Sequence, residues 1–271
     1  MPTSAPVVPS ALEDRLDGFV REHRQAAPGL LEGLIVTGSA IAGDWWPGTS
    51  DVDLVLVVSR VPTPTELEAC AALHSRSIAD GPIDGIYVTR EQIEEGPDRL
   101  GSAVQVVEGI LDPDATGGQI SWVTWREIES GWEAVAGDDG VGEWAWSSWR
   151  FPQADDGARA FSRANLSTYW EHLGRQARLS IADRPAGDPV DARTVRWIAL
   201  GPARLVATME TGEILSKSAA AGFASERWPR YRDLLARVVS SRHGGDDTFT
   251  VADAASALDL LDDCVAASRT P

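Results

Sequence analysis

The segment TGSAIAGDWWPGTSDVDLVLVV, residues 37 to 58, holds the side chains best suited to chemistry. Asp51 and Asp53 stand at i and i+2 at the mouth of an aliphatic run, where a soluble protein normally keeps charge out of its core. In an extended chain both side chains face the same way, roughly 6–7 Å apart at the backbone, so their carboxylates can converge on one cation. Without a cation, like charges this close raise each other's proton affinity and oppose folding. Magnesium answers the difficulty, because it takes one or two carboxylates and completes its shell with substrate phosphates. A third acid, Asp84 in PIDGIYV, lies where sheet pairing can bring it alongside the first two. Three carboxylates can hold two metal ions about 3.5–4 Å apart, the clamp used for in-line attack on phosphorus. Asp84 can also take the proton of an attacking hydroxyl. Upstream, Gly38 lets backbone approach a phosphate, and Ser39 adds a hydroxyl donor. Taken singly, a Gly-Ser pair is an ordinary turn, and Asp-x-Asp also serves turns and calcium loops. The order strand, Gly-Ser, short helix, Gly43, Ser-Asp-x-Asp, strand, acid is far more specific than its parts.

The elements that must position these residues follow from periodicity. Leu12, Leu16, Phe19 and Val20 fall at i, i+4, i+7 and i+8, which predicts an amphipathic helix over 11–25. GLIVTG and DVDLVLVV read as strands, the second aliphatic on both faces and so internal to a sheet. TPTELEACAALHSRSI predicts a helix starting at Pro64, and IDGIYVT a third strand. AVQVVEGIL reads as one strand, TWREIESG as a short helix capped by Thr124 with Glu127 three places on, and AVAGDDGVGE as a loop. Beyond FPQADDG strand-like alternation gives way to helical segments. The last of these opens on Thr250 with Asp253 in the capping-box position. Pro202, inside WIALGPARLV, predicts a kink or break. The fold class is therefore α+β: a mixed sheet with flanking helices over residues 1–150, then a helical domain over 151–271.

Composition narrows the partners. The 271-residue chain is long enough for two domains of ordinary size. Its formal net charge of −17 repels a phosphate backbone, and no basic stripe offsets it, so nucleic acid is disfavoured. Such a surface draws in a cationic small molecule, although it also serves solubility. The N-terminal MPTSAPVVPS reads as a loose tail rather than a signal peptide. No run of about 18 apolar residues suggests a membrane span, which predicts a soluble, cytoplasmic protein. Cys70 and Cys264 lack metal-ligand neighbours and read as buried free thiols. The eleven tryptophans are chiefly packing residues, with one or two available for stacking.

The Gly-Ser, spacer and Asp-x-Asp pattern resembles the nucleotidyltransferase superfamily typified by DNA polymerase β. SDVDLVLVV, PIDGIYV, VTWREIESG and above all ALGPARLVATMETGEILSKSAAAGFASERWP are similar to the aminoglycoside adenylyltransferases that modify streptomycin and spectinomycin. This resemblance covers roughly residues 30 to 240. It implies a nucleotidyltransferase domain followed by a helical substrate-binding bundle, with ATP as co-substrate and magnesium, two ions, as cofactor. It implies further that AMP is transferred to a hydroxyl of a cationic aminoglycoside-type acceptor, with release of pyrophosphate. Asp51 and Asp53 match the family's metal-binding aspartates. Asp84 matches its catalytic base, where the streptomycin enzymes carry glutamate. Lys217 matches a lysine that reaches the triphosphate. Asp191 matches an acid that holds the acceptor, and it is equally well explained as a helix N-cap. Trp122, Trp125 and Trp132 compete for the tryptophan that lines the acceptor pocket. Two rival readings keep the fold: transfer to another acceptor, such as a protein, and a regulatory module that only binds nucleotide. The oligomeric state is left open.

Overall fold

A computed structural model describes residues 4–270, so the tail reading for residues 1–3 lies outside the described residues. The described chain falls into two compact units that divide between Ala154 and Asp155.

The first unit opens with helix α1, Ser10–Ala26, which buries Leu12, Leu16, Phe19 and Val20 as their spacing requires. Strand β1, Leu31–Val36, is followed by the one-turn helix α2, Gly38–Ile41, and by β2, Val52–Val58. Helix α3, Pro64–Ser77, begins on a reciprocal cap: Glu66 N–H donates to Thr63 Oγ1 at 3.4 Å, and Thr63 N–H donates to Glu66 Oε2 at 2.8 Å. Such a cap contributes about 1 kcal/mol. Strand β3, Ile83–Val88, helix α4, Arg90–Glu95, strands β4, Ala103–Val107, and β5, Ile110–Ala115, and helix α5, Trp122–Ser130, follow. Strand β6, Trp132–Gly137, and the two-residue strands β7, Gly140–Val141, and β8, Ala145–Trp146, complete the unit.

The strands form one mixed sheet ordered β5-β4-β3-β2-β1-β6-β7, with β8 also paired to β6. Strands β2 and β3 run parallel, joined through α3, whereas β1–β2, β3–β4 and β1–β6 are antiparallel. β2 lies inside the sheet and is buried on both faces. Leu54, Leu56 and Val58 pack on one side with α1 and α3, and Val55 and Val57 pack on the other with Ile86, Val88, Trp125 and Ile128.

Three local expectations are corrected. AVQVVEGIL is a hairpin, β4 and β5, because Glu108 and Gly109 both take positive φ, 53° and 73°, and reverse the chain. The cap of α5 is Ser121, whose Oγ accepts from Thr124 N–H at 3.3 Å; Thr124 is already inside the helix. The first four residues of the predicted loop AVAGDDGVGE, 134–137, belong to β6, which pairs with β1 from Trp132↔Val36 to Val135↔Gly33. Its inward residues are Trp132 and two alanines, too weak a pattern to mark a strand until β1 supplies the partner.

The second unit runs from α6, Ala154–Asn165, through the π-helical turn Leu166–Trp170 into α7, Glu171–Ile181. Strand β9, Pro189–Val190, precedes α8, Ala192–Thr211, α9, Lys217–Arg227, and α10, Arg232–Arg242. Strand β10, Phe249–Thr250, pairs with β9 and leads into α11, Val251–Ser268, which carries the predicted Thr250–Asp253 capping box. α8 packs against α9, α10 and α11. Pro202 does not break α8. Burial of Ile198, Ala199, Ala203 and Val206 on both sides of the proline holds the helix through the missing N–H. Both cysteines are free and buried. Among the described residues no helix is long and apolar enough to cross a membrane.

Candidate active site

The spacing between Gly-Ser and Asp-x-Asp is the length of a loop that folds back on itself. β1 ends at Val36, and Thr37 N–H donates to Asp53 O at 2.9 Å, so the entrance to β2 lies beside the exit from β1. Between them Asp44 N–H returns to Ser39 O at 2.9 Å, and Ser50 N–H donates to Trp46 O at 2.8 Å. Trp46 N–H donates to Ser50 Oγ at 3.1 Å, closing the loop immediately before Asp51.

Gly38 is required where it stands. Its φ of +64° lies in the left-handed region, and a Cβ there would lie 2.0 Å from Asp53 Oδ2 and 2.7 Å from Asp53 Cγ. The Asp53 carboxylate therefore rests directly on the Gly38 backbone. Beside it, Ser39 Oγ is buried with no hydrogen-bond partner. Ser162 Oγ, in the second unit, is buried without a partner as well.

Asp53 and Asp84 are register partners across the parallel β2–β3 pair, which sets their side chains on the same face of the sheet. Asp51 and Asp53 are half-buried and Asp84 is buried. Asp84 is held by the β4–β5 turn: Glu108 N–H donates to its Oδ2 at 2.9 Å and Gly109 N–H to its Oδ1 at 3.2 Å. Burial pushes the Asp84 carboxyl above its usual range, the two N–H groups pull it down, and the charges of Asp51 and Glu108 raise it further. Among the described residues no three His, Cys, Asp or Glu side chains form a metal cage, so the expected convergence of three carboxylates is not preassembled. Asp51 and Asp53 fit a hard ion completed by phosphate oxygens, whereas both Asp84 oxygens already accept backbone N–H groups.

Gly38, Ser39, Asp51 and Asp53, from one loop, and Asp84, from the next strand, are thus gathered at one end of the sheet. Asp191 and Lys217 belong to the second unit. Asp191 caps α8, its Oδ2 accepting Thr194 N–H at 2.8 Å and Thr194 Oγ1 at 2.9 Å, and these bonds hold its carboxyl below the usual range. Lys217, half-buried, is the first residue of α9, and it is the only lysine in a chain whose other cationic side chains, 23 of 24 Lys and Arg, are all arginine. Two of the three competing tryptophans are core residues. Trp125 is fully buried and donates to Ile93 O at 2.9 Å, and Trp132 packs under β1. Trp122 donates to the Asp98 carboxylate at 3.0 Å. The Glu108–Gly109 turn is a part of the site that sequence reasoning misses; its one signal is a glycine interrupting an apolar run.

No family model matches the chain, and no curated protein matches it. Among solved structures it is similar to spectinomycin adenyltransferase AAD(9) from Enterococcus faecialis, crystallised with ATP and spectinomycin. The match has 14% identity, covers 93% of this chain and 97% of that one, and has a TM-score of 0.61. Likeness at that identity is likeness of fold: the chain is an α+β protein whose helix-flanked mixed sheet and following helical region share the nucleotidyltransferase fold of that structure.

Proposed function

We propose that the protein is an adenylyltransferase, which transfers AMP from ATP to a hydroxyl of a small cationic acceptor of the streptomycin and spectinomycin class. The observation that carries this reading is the Gly38–Ser39 corner. There a glycine without room for a Cβ supports the Asp53 carboxylate, and a buried hydroxyl lacks any partner. A phosphate oxygen would satisfy that hydroxyl, and Asp51 and Asp53 would hold a divalent cation whose charge offsets the crowding of like charge. The magnesium ion when bound supplies charge neutralisation on the phosphates.

The rest is positioning by the chain's own residues. Gly38 and Ser39 receive the triphosphate, and Lys217 is assigned to it on resemblance alone. Asp84, held in one orientation by the β4–β5 turn, accepts the proton of the acceptor hydroxyl. The hydroxyl oxygen forms a bond to the α-phosphorus, the bond from that phosphorus to the bridging oxygen breaks, and pyrophosphate leaves with that electron pair. Little covalent chemistry falls to the protein, so orientation and charge carry the rate. The acidic surface supports a cationic acceptor, and so does likeness of fold to an enzyme crystallised with ATP and spectinomycin. Asp191 is assigned to that acceptor on resemblance alone.

The test is pyrophosphate release from ATP and magnesium with streptomycin, spectinomycin and kanamycin, beside the Asp53→Asn and Asp84→Ala proteins. Acceptor-dependent release that both substitutions abolish is the expected result. Full activity in Asp53→Asn would remove the metal assignment, and silence with every acceptor would remove the acceptor class.

A further inference from the structure

Asp84 rests on a support that lies outside the candidate site. Strand β3 starts at Ile83, one residue before it. The antiparallel ladder with β4 runs from Tyr87↔Val104 to Gly85↔Val106 and does not reach Ile83. A backbone N–H and C=O removed from water need partners. The last turn of α3 supplies both: Ile83 N–H donates to Ser77 Oγ at 3.1 Å, and His74 Nδ1 donates to Ile83 O at 2.7 Å. Ser77 Oγ donates in turn to His74 O at 2.7 Å, so the two side chains form one bracket around the start of the strand.

The same end of α3 carries the β4–β5 turn. A Cβ on Gly109 would lie 3.2 Å from His74 O and 2.5 Å from Ile78 Cγ1, so Gly109 is seated against the helix end. His74 therefore meets Asp84 from two directions. Its ring holds the residue that precedes Asp84 in the chain, and its carbonyl backs the turn whose N–H groups grip the Asp84 carboxylate. The ring is fully buried, which pushes its pKa down to about 4 and keeps it neutral. Ile83 O can only accept, so Nδ1 carries the proton and Nε2 accepts the Tyr87 hydroxyl at 2.9 Å. Phe19 and Tyr87 flank the ring at centroid distances of 5.2 and 5.9 Å. Such surroundings suit a phenylalanine as well; what histidine adds is its hydrogen bonds, one of which fixes Ile83.

We propose that His74 is a positioning residue, which acts through Ile83 and the β4–β5 turn to hold Asp84 in the orientation that accepts the proton of the acceptor hydroxyl. Ser77 completes the bracket. The inference rests on the adenylyltransferase reading for the role of Asp84, and it adds the buried residues that set the aim of that carboxylate.

Turnover with ATP, magnesium and streptomycin or spectinomycin is measured for the full-length wild type, His74→Phe, His74→Asn, Ser77→Ala and Tyr87→Phe, well below each melting transition. Amide hydrogen exchange at Glu108 and Gly109 is followed by NMR on the same proteins. His74→Phe keeps a ring and loses both bonds, His74→Asn returns a donor near the Nδ1 position, and Tyr87→Phe removes only the partner of Nε2. His74→Phe is expected to lower kcat about tenfold or more, the cost of a displaced reacting group, with the ATP KM within about twofold of wild type. His74→Asn recovers most of that loss. Tyr87→Phe lowers the melting temperature and leaves kcat in place. Exchange at Glu108 and Gly109 quickens in His74→Phe and not in Tyr87→Phe. Should His74→Phe fail to fold, Ser77→Ala, which removes the acceptor of Ile83 N–H, carries the same expectation for kcat and exchange. Wild-type kcat in both His74→Phe and Ser77→Ala, or an equal fall in His74→Phe and Tyr87→Phe, would overturn the positioning role and leave the transferase reading standing. Silence of the wild type with either acceptor would remove the acceptor class instead, and exchange then decides: unchanged protection of Glu108 and Gly109 in His74→Phe rejects the role of His74.

Discussion

Replacing Gly38 by alanine tests the candidate site where sequence, backbone and chemistry meet. Two costs can be worked from the structure. The left-handed φ of +64° disfavours an L-residue by about 1–2 kcal/mol. The new Cβ would also overlap the Asp53 carboxylate, 2.0 Å from Oδ2 and 2.7 Å from Cγ, well inside ordinary contact. The carboxylate is the mobile partner, so it must swing away by about 1 Å or more, and a misplacement of that size lowers turnover roughly 100-fold. For a unit of this size the backbone cost corresponds to a fall of roughly 2–8 °C in melting temperature. The assay is pyrophosphate release with ATP, magnesium and a responsive acceptor, measured well below the melting transition, with circular dichroism followed on the same preparations. The expected outcome is a folded protein about 100-fold lower in kcat/KM. A variant within about threefold of wild type in activity and unchanged in melting would refute both the tight seat of Asp53 on Gly38 and the role drawn from it.

Three further outcomes follow from particular residues. Ser39→Ala removes a buried hydroxyl that has no partner, so stability without nucleotide should hold or rise slightly, while ATP affinity falls about three- to tenfold; unchanged ATP affinity by calorimetry would detach Ser39 from the phosphate. Lys217→Met should raise the ATP KM and leave the melting temperature within about 1 °C, since an exposed or half-buried charge contributes little to stability; an unchanged ATP KM would return Lys217 to the solvated surface. His23 and His74 are pushed down to about 4 chiefly by burial, and the charge of His74 adds to the effect at His23. Unfolded histidine titrates near 6.5, so from about pH 6.5 down to 4 the unfolded chain binds more protons, and stability should drop by about 2 kcal/mol per histidine by pH 5. Urea unfolding at pH 7 and pH 5 reads this directly, and a flat profile would contradict the closed packing of His74 between Ile83 O at 2.7 Å and Tyr87 Oη at 2.9 Å.

Much of the candidate site was legible because its signals are local. Two aspartates at i and i+2 before an aliphatic run face the same way in any strand, and Gly38 before Ser39 marks a turn whatever surrounds it. The helices α1, α3 and α11 were equally plain, since a 3.6-residue apolar period and a Thr-x-x-acid cap depend on neighbours within one turn. The α+β character followed from strands giving way to helices along the chain. Tertiary structure alone decided the rest. That Asp84 stands beside Asp53 depends on a parallel register set by the packing of α3 under the sheet, information spread along the whole crossover between the two strands. That β6 is a strand depends on the free edge of β1, and that α8 continues through Pro202 depends on apolar contacts on both sides of it. The assignment of Trp125 and Trp132 to the core depends on burial, which a tryptophan's identity does not report. The grip of Glu108 and Gly109 on Asp84 is the clearest case: backbone N–H groups carry no sequence signature, so only the fold could show which carboxylate they hold.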